Sequence, residues 1–103
     1  HALLFTSEGR LNIGGKKFAE DHGPADPACA CSTCRRYSRA YLRHLFQAGE
    51  ILFSTLATLH NVHHYLSLMR SVRAAILEGR YPAFLADFRS RTETREYAGK
   101  GAA

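Results

Sequence analysis

Cys29-Ala30-Cys31-Ser32-Thr33-Cys34 holds every cysteine of the chain. A Cys-x-Cys-x-x-Cys run brings three soft sulfurs together on one tight turn. Such a set suits a tetrahedral cation, and zinc is the usual occupant of sulfur-rich sites. Other readings explain the stretch less well. Three cysteines cannot all pair, and neighbours this close would close small, strained disulfide loops. Buried structural thiols are usually scattered along apolar runs, whereas these sit among Pro, Ala, Asp and Ser. A redox Cys31–Cys34 pair would normally follow a strand in a βαβ setting, and no such pattern surrounds it. A fourth ligand is needed, and three of the six histidines cluster in His60-Asn61-Val62-His63-His64.

Upstream of the knuckle, Gly23-Pro24-Ala25-Asp26-Pro27 forbids helix and predicts a loop over residues 20–34. Before it, Ala2 to Phe5 is apolar, Ser7-Glu8-Gly9 signals a turn, and Arg10-Leu11-Asn12-Ile13 alternates with period two. Gly14-Gly15 reads as a second reversal into Lys16-Lys17-Phe18. The expectation is a short antiparallel meander that must pack on something else.

Downstream, one helix is expected from about Thr33 to Gln47, capped by Ser32 or Thr33 and stopped at Gly49. A long helical stretch should follow from Glu50 to Glu78. Its apolar residues (Leu52, Leu56, Leu59, Leu66, Met69, Ile76; and Phe53, Tyr65, Leu68, Val72) cover two adjacent faces. Thr58 marks a candidate break. Gly79 ends the stretch, and Pro82 opens a third helix through Phe88. After Arg91 the sequence turns polar, so residues 92–103 read as a flexible tail and residues 1–91 as one unit.

Lys and Arg number 14 against 9 Asp and Glu, a net +5 over 103 residues. That balance is permissive for a polyanion such as nucleic acid. No apolar run is long enough to span a membrane, and no signal peptide is visible. Reduced, metal-type cysteines point to a cytoplasmic setting. A start at His1 rather than Met leads us to expect a piece of a longer protein.

Helix arithmetic bears on the fourth ligand. Cys34 to Gly49 climbs roughly 22 Å, and the return to His60 or His64 descends about 16 or 22 Å at 1.5 Å per residue. An antiparallel pair therefore returns the whole patch to the cysteines. Spacing alone leaves His60, His63 and His64 all open.

Gly23-Pro24-x-Asp26-Pro27-x-Cys29-x-Cys31-x-x-Cys34, then Ser38-Arg39-Ala40-Tyr41-Leu42, Gly49-Glu50-Ile51-Leu52 and His60-Asn61 resemble the C-terminal part of the tRNA-guanine transglycosylases, also called queuine tRNA-ribosyltransferases. The resemblance runs to about Arg91, includes Leu68-Met69-Arg70 and Glu78-Gly79-Arg80, and looks closest to the bacterial branch. It implies a Cys29, Cys31, Cys34 and His60 zinc site, with His63 and His64 as helix-face residues. It also implies a TIM-type α/β barrel in the parent protein, with this piece mainly helical and the long helix packed outside the barrel. The implied parent is a cytoplasmic enzyme that exchanges guanine for a deazaguanine base at the tRNA wobble position. It would use an aspartate nucleophile and a second aspartate for proton transfer. Asp21, Asp26 and Asp87 occupy no matching motif, so no catalytic residue is assigned here and the piece alone is expected to be inactive.

Two further expectations concern surfaces. Arg35, Arg36, Arg39 and Arg43, helped by Lys16 and Lys17, are candidate contacts to tRNA phosphates; the ordinary alternative is a solvated helix face. Tyr37, Tyr41 and His44 form an aromatic stripe. The resemblance implies a homodimer joined through this region, whereas ordinary packing within one chain is the other reading. Two competing functions stand beside the transglycosylase: an independent zinc-stapled nucleic-acid-binding module, and part of a non-catalytic partner subunit.

Overall fold

The computed structural model describes residues 2–92. Strands β1 (Leu3–Thr6) and β2 (Gly9–Asn12) pair antiparallel, with Leu4 opposite Leu11. The sheet buries one face. Leu4, Thr6 and Leu11 point inward while Leu3, Phe5 and Arg10 face out, as period-two alternation requires. Gly9, at φ 116°, completes the tight turn at Ser7-Glu8. Burying Leu4, Leu11, Ile13, Phe18 and Leu42 almost completely contributes about 1.5–3 kcal/mol for each such side chain.

The meander stops at two strands. Lys16–Phe18 is a single 3-10 turn, with Phe18 N–H bonded to the Gly15 carbonyl at 3.1 Å. A third strand needs alternating apolar residues, and this stretch offers only Phe18, which one compact turn delivers to the core.

The helix expected from Thr33 to Gln47 is two helices, α1 (Ser32–Arg36) and α2 (Arg39–Gln47). Tyr37 and Ser38 between them are extended. Ser38 Oγ accepts the Tyr41 N–H at 3.0 Å and so caps α2. The loop fixes the break: Arg39 and Ala40 N–H groups donate to the carbonyls of Gly23 and Asp21, each at 2.8 Å. The cap of α1 also differs from expectation. Cys31 holds that position, and its sulfur accepts the Cys34 N–H at 3.4 Å.

Gly49 ends α2 in the left-handed region at φ 72°. The Gly49 N–H reaches Phe46 and the Glu50 N–H reaches Leu45, the paired bonds of a Schellman stop. Helix α3 (Ile51–Leu77) then runs unbroken for 27 residues, about 40 Å, with no interruption at Thr58. Gly79, also at φ 72°, repeats the Schellman stop before α4 (Tyr81–Thr92). The expected tail at 92–103 lies outside the described residues except for Thr92, the last residue of α4.

Helix α3 returns antiparallel to α1 and α2. Buried Thr33 Oγ1 donates to the Leu56 carbonyl at 2.8 Å and pins α1 to it. Among the described residues one side of α3 is covered, through Phe53, Leu56, Ala57, His60 and Ala75. Along its length Ile51 and Leu77 are 83% and 75% exposed, and Leu59, Val62, Tyr65 and Leu66 also face out. The two apolar faces read from the sequence do not divide cleanly into covered and uncovered: Leu56 of the first and Phe53 of the second are buried, while most of the first set and Tyr65 of the second are exposed. The described residues are mainly helical with one two-stranded sheet.

Candidate metal centre

The knuckle forms where the 20–31 loop meets α1. Asp26, buried, takes the Ser7 N–H on Oδ2 at 2.8 Å and the Ala28 N–H on Oδ1 at 3.0 Å. Its own carbonyl accepts the Cys29 N–H at 2.9 Å. These bonds satisfy the buried carboxylate and fold the loop that carries Cys29 toward Cys31 and Cys34. Pro24 and Pro27 keep this stretch from extending α1 backwards.

His60 supplies the fourth donor. Its Nδ1 lies 3.7 Å from Cys29 Sγ, 3.4 Å from Cys31 Sγ and 3.3 Å from Cys34 Sγ. All four donor atoms fall within 4.8 Å of one another. A tetrahedral zinc shell with bonds of about 2.3 Å to sulfur and 2.0–2.1 Å to nitrogen has S···N edges of about 3.5–3.6 Å. The observed distances bracket that edge. His60 Nε2–H donates to the Phe5 carbonyl at 2.7 Å, which leaves the Nδ1 lone pair aimed at the sulfurs and fixes the ring.

His63 and His64 stand outside the shell. His63 Nδ1 reaches Cys29 Sγ at 3.6 Å but is not within the four-donor group. His64 lies over the His60 ring with centroids 6.1 Å apart. Among the described residues the geometry groups His60, and not His63 or His64, with the three sulfurs.

Electrostatics fit the same assignment. Burial pushes the Cys29 thiol above its ordinary value and the Cys34 thiol well above it. Burial also holds His60 below its ordinary value, keeping the imidazole neutral at pH 7. Three thiolates, two of them buried, would be costly without a cation, whereas a dication leaves the cluster near −1. Four protein donors and no vacant position describe a structural rather than a catalytic site.

Two supporting residues escaped the sequence reading. Phe5 contributes only a carbonyl, which carries no side-chain signal. Asn61 reads the edge of β1 with both ends of its amide, taking the Phe5 N–H at 2.9 Å and donating to the Leu3 carbonyl at 3.2 Å. The adjacency of His60 and Asn61 was the available clue.

Residues 1–94 match the family model described as queuine tRNA-ribosyltransferase. The chain belongs to that family. A queuine tRNA-ribosyltransferase of Solibacter usitatus is 61% identical over 85 residues, 82% of this chain and 22% of the relative. Those of Herpetosiphon aurantiacus and Koribacter versatilis are 51% and 58% identical over 98 and 79 residues, covering 95% and 77% of this chain. These stretches make up 25% and 21% of those relatives, so the chain spans about a quarter or less of their length.

The arginines expected to share one tRNA-facing surface do not share one environment. Arg35 and Arg36 are exposed at a cleft of about 540 Å³ that also has His22, Ser38 and Tyr41 in its lining. Arg43 is half-buried, with Nε donating to the Gly15 carbonyl at 3.0 Å. Arg39 is buried and ion-paired to Asp21 at 2.7 Å; the break between α1 and α2 turns it inward. The exposed lysines Lys16 and Lys17 lie on the 3-10 turn. In the aromatic stripe, Tyr37 and Tyr41 stack with centroids 5.5 Å apart, and His44 lies 6.4 Å beyond Tyr41. Tyr37 packs against the core, while Tyr41 and His44 are exposed. No helix among the described residues is long and apolar enough to cross a membrane.

Proposed function

We propose that this chain is the zinc-bearing part of a cytoplasmic tRNA-guanine transglycosylase that exchanges guanine for a deazaguanine base at the wobble position. One observation carries the reading: a largely buried Cys29, Cys31, Cys34 and His60 cluster whose donor atoms lie within 4.8 Å of one another, in a chain whose family is queuine tRNA-ribosyltransferase. Zinc bound there would cross-link the loop, α1 and α3, supplying rigidity rather than chemistry. The described residues contribute no catalytic aspartate to this reading. Asp21 and Asp26 bind neighbouring backbone groups, and Asp87 pairs with Arg91.

The uncovered apolar face of α3 favours this reading over a self-standing zinc module. A 27-residue helix with Ile51, Leu59, Leu66 and Leu77 exposed suits the outside of a TIM-type barrel. The direct test is metal content and guanine exchange in the whole protein. One zinc per chain with exchange activity supports the proposal; a metal-free, reduced protein overturns it.

Arg35 and Arg36 are the best-placed cations for tRNA phosphates, because both flank an open cleft. Reversing both to Glu in the whole protein is expected to weaken tRNA binding about tenfold or more and lower the salt-dependence slope by about 2. Unchanged affinity and slope would assign them to a solvated surface.

In the same reading the exposed part of the stripe, Tyr41 and His44, is offered as a homodimer contact, since aromatic residues with polar tips suit interface cores. Tyr37→Ala with Tyr41→Ala is expected to loosen the dimer by about 2 kcal/mol, within the hot-spot range. Mass measurement at low micromolar concentration reads this out. A parent that is monomeric throughout, or a variant as dimeric as its parent, removes the interface reading.

A further inference from the structure

The four ligands are unequally protected. Cys31, Cys34 and His60 are buried, but Cys29 is only partly so. A cavity of about 360 Å³ opens beside Cys29, with Ser7, His63, Ser67 and Arg91 also in its wall. Water, chelators and electrophiles would meet the shell at this sulfur first.

His63 stands over that opening. It lies one turn beyond His60 on α3, and its Nδ1 is 3.6 Å from Cys29 Sγ. The Cys31 N–H already points at the same sulfur from 3.4 Å. Sulfur is larger than oxygen, so N–H···S contacts are longer than N–H···O bonds. A metal-bound Cys29 thiolate accepts, and an Nδ1–H tautomer of His63 donates. Each such bond draws charge from the sulfur and makes it a poorer target for protons and electrophiles.

We propose that His63 is a positioning residue for the metal, donating a hydrogen bond to the Cys29 thiolate and closing the weakest edge of the shell. The inference rests on the metal-site reading. Outer-shell partners of this kind typically change metal affinity by 10–100-fold.

The test uses the zinc-loaded whole protein and a coloured zinc chelator. His63→Phe keeps the ring and loses the donor; His63→Gln keeps an N–H donor. The Phe variant is expected to bind one zinc per chain yet release it about tenfold faster, with the Gln variant near the parental rate. Cobalt substitution gives a second readout. Losing the bond raises the sulfur lone-pair energy, so the thiolate-to-cobalt charge-transfer band moves to longer wavelength in the Phe variant only. Parental release and an unshifted band in His63→Phe overturn this inference alone. Equal acceleration in Phe and Gln variants also overturns it, because restoring an N–H donor would then not restore metal retention. Should His63→Phe not fold, His63→Gln against His63→Leu carries the same comparison. A parent that takes up no metal overturns the metal site and this inference together.

Discussion

His60→Ala is expected to empty the metal site and produce the largest loss of stability of any single change in this chain. His60 closes a shell whose other three donors lie within one loop and one helical turn. It also holds the β1 edge through the Phe5 carbonyl. Structural zinc contributes an apparent 10–16 kcal/mol in small zinc-dependent folds, roughly, so even partial loss exceeds an ordinary core truncation of about 2–5 kcal/mol. His63 cannot substitute from its present place, because it reaches only Cys29. Metal stoichiometry and denaturant melting of the reduced protein provide the check. Retention of one zinc per chain in His60→Ala would mean that the fourth ligand lies elsewhere. His63→Ala should keep that stoichiometry, so the two histidines separate cleanly. Acid should empty the parent site as well, since thiolates and imidazole must shed protons to bind and regain them as pH falls.

Arg39→Ala should also be strongly damaging, at about 2–4 kcal/mol, because it leaves a partly buried carboxylate without its partner. Arg39 Nη1 donates to Asp21 at 2.7 Å, Nη2 reaches the Ala25 carbonyl at 3.4 Å, and the guanidinium lies 6.0 Å from the Phe18 ring centre. Burial alone would raise the Asp21 carboxyl, but hydrogen bonds from Arg39 and the Gly23 N–H, with the Arg39 charge, hold it below its ordinary value. The sign follows. The folded value lies below the unfolded one of about 3.9, so this contribution is complete above that pH and fades as pH falls through the folded value. Removing Arg39 takes away this acid-sensitive contribution, so the stability gap between parent and variant should narrow as pH falls through the folded value of Asp21. Urea titrations of parent and variant between neutral pH and pH 3 measure both effects. A variant of parental stability that binds tRNA weakly would return Arg39 to the RNA surface.

The contrast between Arg39 and Arg35 shows where the sequence stopped being legible. All four arginines of 35–43 looked alike because periodicity was read along one continuous helix. A two-residue extended break at Tyr37-Ser38 resets that period, and the bonds that enforce it come from Gly23 and Asp21, which are remote in sequence. The same non-local cause explains Lys16–Phe18, where core demand for one ring overrode a strand-like reading. By contrast, Gly49 and Gly79 were legible because a left-handed stop has one inexpensive residue. The cysteines were legible because metal chemistry tolerates few spacings. Choosing His60 over His63 and His64 needed either the family resemblance or the Nδ1 distances. Helix rise alone placed all three near the knuckle, and only ring direction, fixed by the Phe5 carbonyl, separates them.

The 26-residue gap between Cys34 and His60 also has a meaning in time. A ribosome adding about 5–20 residues per second takes roughly 1–5 s to travel from the last thiol to the closing imidazole. During that interval the nascent chain presents three thiols together with no fourth partner. They can hold a zinc ion in an open, exchangeable way, or be oxidised. The centre is thus most vulnerable before it is closed. Starving cells of zinc during synthesis should therefore cost far more protein than starving them afterwards, as pulse-labelling on either side of chelator addition would reveal.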